Sequence, residues 1–279
     1  MGVLASTVFG GNCLAVAVNA AYQTTSPSHH LYSICGHFVR AATTDRKLIC
    51  EVETVRNTRT FETRLIRVTQ EKADDGSTRL CLVASADFHI EEPRSMVTYT
   101  SAAQAISPLM TSNSSSSTAP RITLADAYGL YKYIEHFTDI RSISVDTREN
   151  KEAATEGVRP VPSKVSAERF RARGPLDSEA EQISALAFYI NRGLAYIPAN
   201  HSGYELLEAS ACATLDFALR IFTHAVNLQN WHVTEQKALV AENARAFSEG
   251  RVWDESGRLI VSMTQQTILR PRTGFKPRI

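Results

Sequence analysis

Gly10-Gly11-Asn12-Cys13-Leu14-Ala15-Val16-Ala17-Val18-Asn19-Ala20-Ala21-Tyr22 is the stretch that decides the fold. Apart from its two asparagines it is apolar all round. A surface helix carries one apolar stripe, whereas a helix apolar on every side has to be enclosed. Four strand-like runs follow it, near 31–42, 47–57, 60–70 and 79–90. In the last of these Leu80, Leu82, Ala84, Ala86 and Phe88 alternate onto one face. One buried helix followed by a run of strands implies an α+β unit, with an antiparallel sheet wrapped around the helix.

Farther along, the pattern returns. Residues 111–118, Thr-Ser-Asn-Ser-Ser-Ser-Ser-Thr, are low-complexity polar chain and read as a linker. Residues 123–137 read as a helix, with Leu124, Ala127, Tyr128 and Tyr131 at helical spacing. A strand near 140–147 leads into a charged, proline-containing loop at 149–163. Another strand near 165–173 is stopped by Gly174-Pro175. Helix 178–195 carries Ile183, Leu186, Ala187, Ile190 and Leu194 on one stripe. Strand runs near 211–223, 231–253 and 258–270 close the chain, with Asp254-Glu255-Ser256-Gly257 as a hairpin turn. Helix-then-strands thus occurs twice, which implies a tandem duplication. The expected units are 1–100, a Ser-rich linker plus helix over 101–137, and 138–279.

Composition narrows the function classes. The formal net charge is +1, which supplies no long-range field for nucleic acid. No run approaches the ~18 apolar residues of a membrane span, and the start lacks the pattern of a signal peptide. Met1-Gly2-Val3-Leu4-Ala5-Ser6 fits the loose acylation pattern, which is short and is read as a chance match. Five cysteines, Cys13, Cys35, Cys50, Cys81 and Cys212, form no CxxC pair and read as buried free thiols of a reducing compartment. His29 and His30 read as loop residues, and no metal-ligand spacing occurs.

Several separated motifs then resemble the acyl-CoA thioesterase II family. Thr7-Val8-Phe9-Gly10-Gly11 before an Ala-rich helix is similar to the family's opening. Val52-Glu53-Thr54-Val55-Arg56-Asn57-Thr58-Arg59-Thr60-Phe61-Glu62-Thr63-Arg64, followed by Gln70, resembles its Val-Glu-x-Leu-Arg-Asp-Gly-x-Ser-Phe-x-x-Arg stretch. Ala213-Thr214-Leu215-Asp216 and Gly257-Arg258-Leu259, Ser262, Gln265 and Leu269-Arg270 are similar to its C-terminal motifs. The resemblance covers nearly the whole chain outside the Ser-rich linker and the 149–163 loop. It implies a tandem double hot-dog that hydrolyses a fatty-acyl or polyketide-type acyl-CoA to free acid and coenzyme A. It implies no cofactor beyond the coenzyme A of the substrate, and a homo-oligomer. The family's water-holding Asp, Thr and Gln fall on Asn191, Thr214 and Gln265. Departures from the pattern also stand: only nine residues precede Gly10, which would leave the first unit short of an edge strand or with that edge covered by a partner chain. Asn57-Thr58 replaces Asp-Gly, and Asn12 replaces Gln. The end, Lys276-Pro277-Arg278-Ile279, departs from the peroxisomal Ser-Lys-Leu, so the cytoplasm is expected over the peroxisome.

The residues have their own reading. Over 213–222, Ala213, Leu215, Phe217, Leu219 and Ile221 share one strand face, and Thr214 and Asp216 the other. Asn191 follows Ala187 by four on the apolar side of its helix, where a buried amide needs partners. It is either a satisfied core group or a site residue. An amide orients water but cannot take its proton, and a positioned base is worth ~10²–10⁴ in rate. That opens an alternative: a non-hydrolytic hot-dog enzyme or acyl-thioester-binding protein. Asp216 is a substitute base or a structural carboxylate, and His224, on the same strand, an ordinary polar position. Gly10 and Gly11 either offer backbone N–H groups to a polarised substrate oxygen or permit close packing. Arg56, Arg59, Arg64 and Arg67 either meet coenzyme A phosphates or form a solvated strand face.

Overall fold

The computed structural model describes residues 7–72, 76–103, 134–143 and 160–274. The expected linker 111–118, the expected helix up to residue 133 and residues 149–159 of the loop lie outside the described residues. Residues 134–136 form a 3-10 turn.

Helix α1, Gly10–Tyr22, is followed by β1 (His29–Phe38), β2 (Ile49–Asn57), β3 (Phe61–Glu71) and β4 (Thr78–Ile90). After the 3-10 turn come β5 (Thr138–Ile143), β6 (Ser166–Ala172), α2 (Glu179–Ile190) and a short α3 (Ile197–His201). Strands β7 (Ala209–Ile221), β8 (His232–Glu242), β9 (Arg245–Trp253) and β10 (Leu259–Pro271) complete the chain. All ten strands join one antiparallel sheet in the order β2-β3-β4-β1-β7-β10-β9-β8-β6-β5, and the β1–β7 ladder stitches the halves together. Each half wraps its helix, which is the double hot-dog arrangement. Leu14, Ala17 and Val18 of α1 and Leu186, Ala187 and Ile190 of α2 lie in one continuous core. The enclosed leucine, valine and isoleucine side chains among them each contribute roughly 1.5–3 kcal/mol.

The helices run antiparallel. Gly11 at the start of α1 abuts the carbonyl of Phe188 near the end of α2, and Tyr22 at the end of α1 bonds Glu179 at the start of α2. A Cβ on Gly11 would lie 2.7 Å from the Phe188 carbonyl oxygen, so only glycine allows this approach. Helix α2 begins at a capping box, with Ser178 accepting from the Glu181 N–H and Glu181 accepting from the Ser178 N–H.

Several expectations need correction. The run 231–253 is two strands, β8 and β9, turning at Asn243 and Ala244, both with positive φ (52° and 55°). Such a turn normally shows a glycine in its second central position; here alanine hides it. Helix α2 stops at Ile190, not 195, because the chain turns through Gly193 at φ +85°. His29 and His30 open strand β1, paired with Ile90 and His89, and His224 lies beyond the end of β7. Arg64 is not on a solvated face. It is 2% exposed and bonds Glu62 (1% exposed) at 2.6 Å. A charge that deeply placed has to be paired and hydrogen-bonded, and Arg64 also donates to the Thr24 and Arg56 carbonyls. Arg67 stays exposed, paired with Glu53, and Arg56 lies over the Phe61 ring.

Candidate active site

The site forms where the start of α1 and the end of α2 cross β7, β10 and β9. Met263, Gln265 and Thr267 of β10 pair with Leu219, Phe217 and Thr214 of β7 and face the core. The ladder shifts between Gln266 and Thr267, so Leu215 is passed over. This bulge adds one residue to β7 and re-aims the side chains on either side of it. Simple alternation puts Thr214 with Asp216; the bulge instead turns Thr214 inward with Phe217 and Gln265. Asp216 pairs with Gln266 on the opposite face, so the expected shared face of Thr214 and Asp216 is corrected.

Thr214 Oγ1 donates to Gln265 Oε1 at 3.0 Å. Gln265 is fully buried (0% exposed), and its amide nitrogen has the Met263 sulfur at 3.6 Å, a weak acceptor. Cross-strand from Gln265 stands Ser248 of β9, also 0% exposed. Its hydroxyl has no hydrogen-bond partner among the described residues.

Asn191 is the C-cap of α2 and 4% exposed. Its chain segment crosses the sheet above Gln265. On one flank Ile190 and Leu194 pack on Gly250 of β9, which pairs with Met263. On the other, Cys212 of β7, paired with Leu269, donates its thiol to the Ala195 carbonyl at 3.3 Å. Gln265 and Thr267 lie between those rungs. From the opposite side, Asn191 Oδ1 lies 3.3 Å from where a Cβ on Gly10 would sit, and the Phe38 ring meets that same point. Phe38 packs on Phe217, the register partner of Gln265. Asn191 Oδ1 therefore lies beside Gly10, while Thr214 and Gln265 contact each other. Asn191 Nδ2 is buried with no partner among the described residues. An unmade bond of this kind costs about 1–3 kcal/mol.

Nearby ionisable groups are spoken for. Glu168 accepts from Tyr189 and Arg192, and burial, then the Glu168 charge, keeps the Tyr189 hydroxyl protonated far above neutral pH. Burial pushes the Cys212 thiol up to about 11, so it is no thiolate nucleophile. All five cysteines are free, with Cys13 and Cys81 buried and the other three partly so. Among the described residues no cluster of three His, Cys, Asp or Glu side chains could hold a metal ion. Sequence reasoning missed Ser248. Its inward aim depends on where β9 begins, and that boundary is the Asn243-Ala244 turn.

The fold agrees with the comparisons. Residues 1–89 match the acyl-CoA thioesterase N-terminal domain and residues 119–269 the acyl-CoA thioesterase C-terminal domain. The chain belongs to the acyl-CoA thioesterase family and is by that membership a thioester hydrolase. It is 24% identical over 270 residues to acyl-CoA thioesterase 2 of Haemophilus influenzae, covering 94% of this chain and 87% of that one. In structure it is similar to acyl-CoA thioesterase II TesB2 from Mycobacterium marinum (TM-score 0.72, 20% identity, 97% and 92% of the two chains). A TesB protein from Mycobacterium avium subspecies paratuberculosis is similar too (TM-score 0.69, 19% identity, 97% and 90%). These two structural likenesses speak for the fold. No described helix is long and apolar enough to cross a membrane.

Proposed function

We propose that this chain acts on the thioester of a fatty-acyl or polyketide-type acyl-CoA, with Asn191, Thr214 and Gln265 at the reacting group. The observation that carries the reading is the partly buried Thr214–Gln265 hydrogen bond on the inner face of β7 and β10. Two polar groups held that rigidly on adjacent strands are placed to position a small oxygen species. Coenzyme A enters as part of the substrate, and the reaction needs no other cofactor. Gly10 and Gly11 lie at the head of α1, where the first N–H groups have no intrahelical acceptor. Close packing already accounts for Gly11. A homo-oligomer is the expected state, and light scattering on the purified chain checks it.

A second reading is favoured by Asn191 itself. It is neutral, and Asp216 faces the other side of the sheet. Without a base the same pocket suits acyl transfer, cyclisation or simple thioester binding.

One experiment separates the two: free-thiol release from a panel of acyl-CoAs by the native chain, Asn191→Asp and Thr214→Ala. Turnover by the native chain, lowered about a hundredfold in Thr214→Ala, supports hydrolysis. Turnover by Asn191→Asp alone supports non-hydrolytic chemistry. No thiol from any variant, with no binding of acyl-CoA, refutes both readings.

A further inference from the structure

The buried groups that the site leaves without a partner among the described residues include the Asn191 amide nitrogen, which carries two N–H donors, and the Ser248 hydroxyl, which donates as well as accepts. Gln265 spends its oxygen on the Thr214 hydroxyl, and its own NH₂ has only a thioether sulfur at 3.6 Å. The Ser248 hydroxyl is buried without a partner among the described residues, directly across the β9–β10 ladder from Gln265. On this inner face the carboxylate linked to the end of α2 is Glu168, and Tyr189 and Arg192 hold it. A water molecule poised to attack needs an acceptor for its proton. A carbonyl oxygen needs only donors, and needs them most as it gains negative charge.

We propose that Asn191, Gln265 and Ser248 form a donor pocket for the thioester carbonyl oxygen, and that Ser248 is a substrate-binding residue of this site. The inference rests on the thioester reading above and changes what the site holds: the substrate's oxygen, not the attacking water. A carboxylate would repel the carbonyl oxygen that an amide N–H attracts. In this pocket the carbonyl is polarised in place. Any nucleophile, whether water or a group of the substrate itself, has to approach from the side away from Asn191.

The test compares two stable ligands of equal chain length by calorimetry. One is an S-alkyl-CoA, with no carbonyl. The other is an S-(2-oxoalkyl)-CoA, a ketone that resists hydrolysis. The native chain is expected to bind the ketone roughly ten to thirty times more tightly, the value of two added hydrogen bonds. Ser248→Ala should cut that ratio about threefold to tenfold and leave S-alkyl-CoA affinity unchanged. Asn191→Asp should reduce it to about one. Equal affinities for the two ligands in the native chain overturn the donor pocket while leaving acyl-CoA binding intact; the donors would then hold a water that the ligand does not displace. A ratio unmoved by Ser248→Ala removes Ser248 from the proposal. If neither ligand binds, the thioester reading itself fails.

Discussion

The helix pair has two ends, and they are built on opposite principles. Where α1 finishes and α2 starts, polar groups are charged and bonded. Tyr22 donates to Glu179 at 2.8 Å and accepts from the Leu31 N–H, while His30 meets the other Glu179 oxygen at 2.7 Å and stacks on His224. Beside them Arg64 ties the Thr24 carbonyl to Glu62, which Ser26 also bonds. Where α1 starts and α2 finishes, Glu168 and Arg192 form an ion pair beside Tyr189, glycine brings the backbones together, and Asn191 and Ser248 keep bonds unused by the described residues. At the first end His29 Nε2 alone of the groups around Glu62 lacks a partner among the described residues; a bonded polar group holds a structure together, and a buried one left unbonded leaves room for a ligand or water. The difference assigns stability to the first end and binding to the second.

The strongest way to break this comparison is Arg64→Ala. It strands Glu62 in the interior and leaves the Thr24 carbonyl without its donor. A loss of about 3–5 kcal/mol is expected, read as a lower urea midpoint with unchanged slope. Burial pushes the Glu62 carboxyl up, but the two Ser26 bonds, Arg64 and His29 outweigh it and hold it below its ordinary value. Its contribution is therefore present at neutral pH and lost as the pH falls through that depressed value. A change under about 1 kcal/mol would show that the first end does not carry stability.

A pH titration probes the other end. His201 of α3 is buried, and burial, then the Lys164 charge, brings its imidazole down to about 4 from 6.5. The unfolded chain takes up the proton first, so stability is full above about 6.5 and falls as the pH drops toward 4. The loss is roughly 2–3 kcal/mol by linkage. His201→Gln should flatten that part of the stability profile. A native chain whose stability is constant between pH 6.5 and 4 would put a charged, solvated His201 at this end.

The two ends were unequally legible in the sequence. The all-apolar run at Gly10–Tyr22 and the alternation through Phe88 sufficed for two helices wrapped by antiparallel sheet, because burial leaves a periodic mark. Site chemistry leaves none. The inward turn of Thr214 depends on a bulge at Leu215, and the aim of Ser248 depends on a turn written Asn243-Ala244 without a glycine. Arg64 reads as a surface arginine, since its partners Glu62, Thr24 and Arg56 combine only across the folded sheet. Asn191 lies on the apolar side of its helix, but the residues alone leave it either a core group or a site residue, and its place among the site residues comes from the resemblance to the thioesterase motifs.

The smallest expected effect is the most diagnostic. If Ser248 were a structural hydrogen-bonder, Ser248→Ala would cost the usual 0.5–1.5 kcal/mol of a net hydrogen bond. The hydroxyl is buried and has no partner among the described residues, so its removal gives up no bond to them and relieves a desolvated polar atom. Stability of Ser248→Ala should therefore be unchanged or raised by up to about 1 kcal/mol, measured by urea unfolding without ligand. Asn191→Ala should behave alike, offset in part by the lost packing of its side chain against Gly10. The same variants should weaken ketone binding. Stability kept while binding falls is the signature of a group retained for its ligand. A destabilisation above 1 kcal/mol in Ser248→Ala would make this end as structural as the other, and the division of labour between the two ends would be lost.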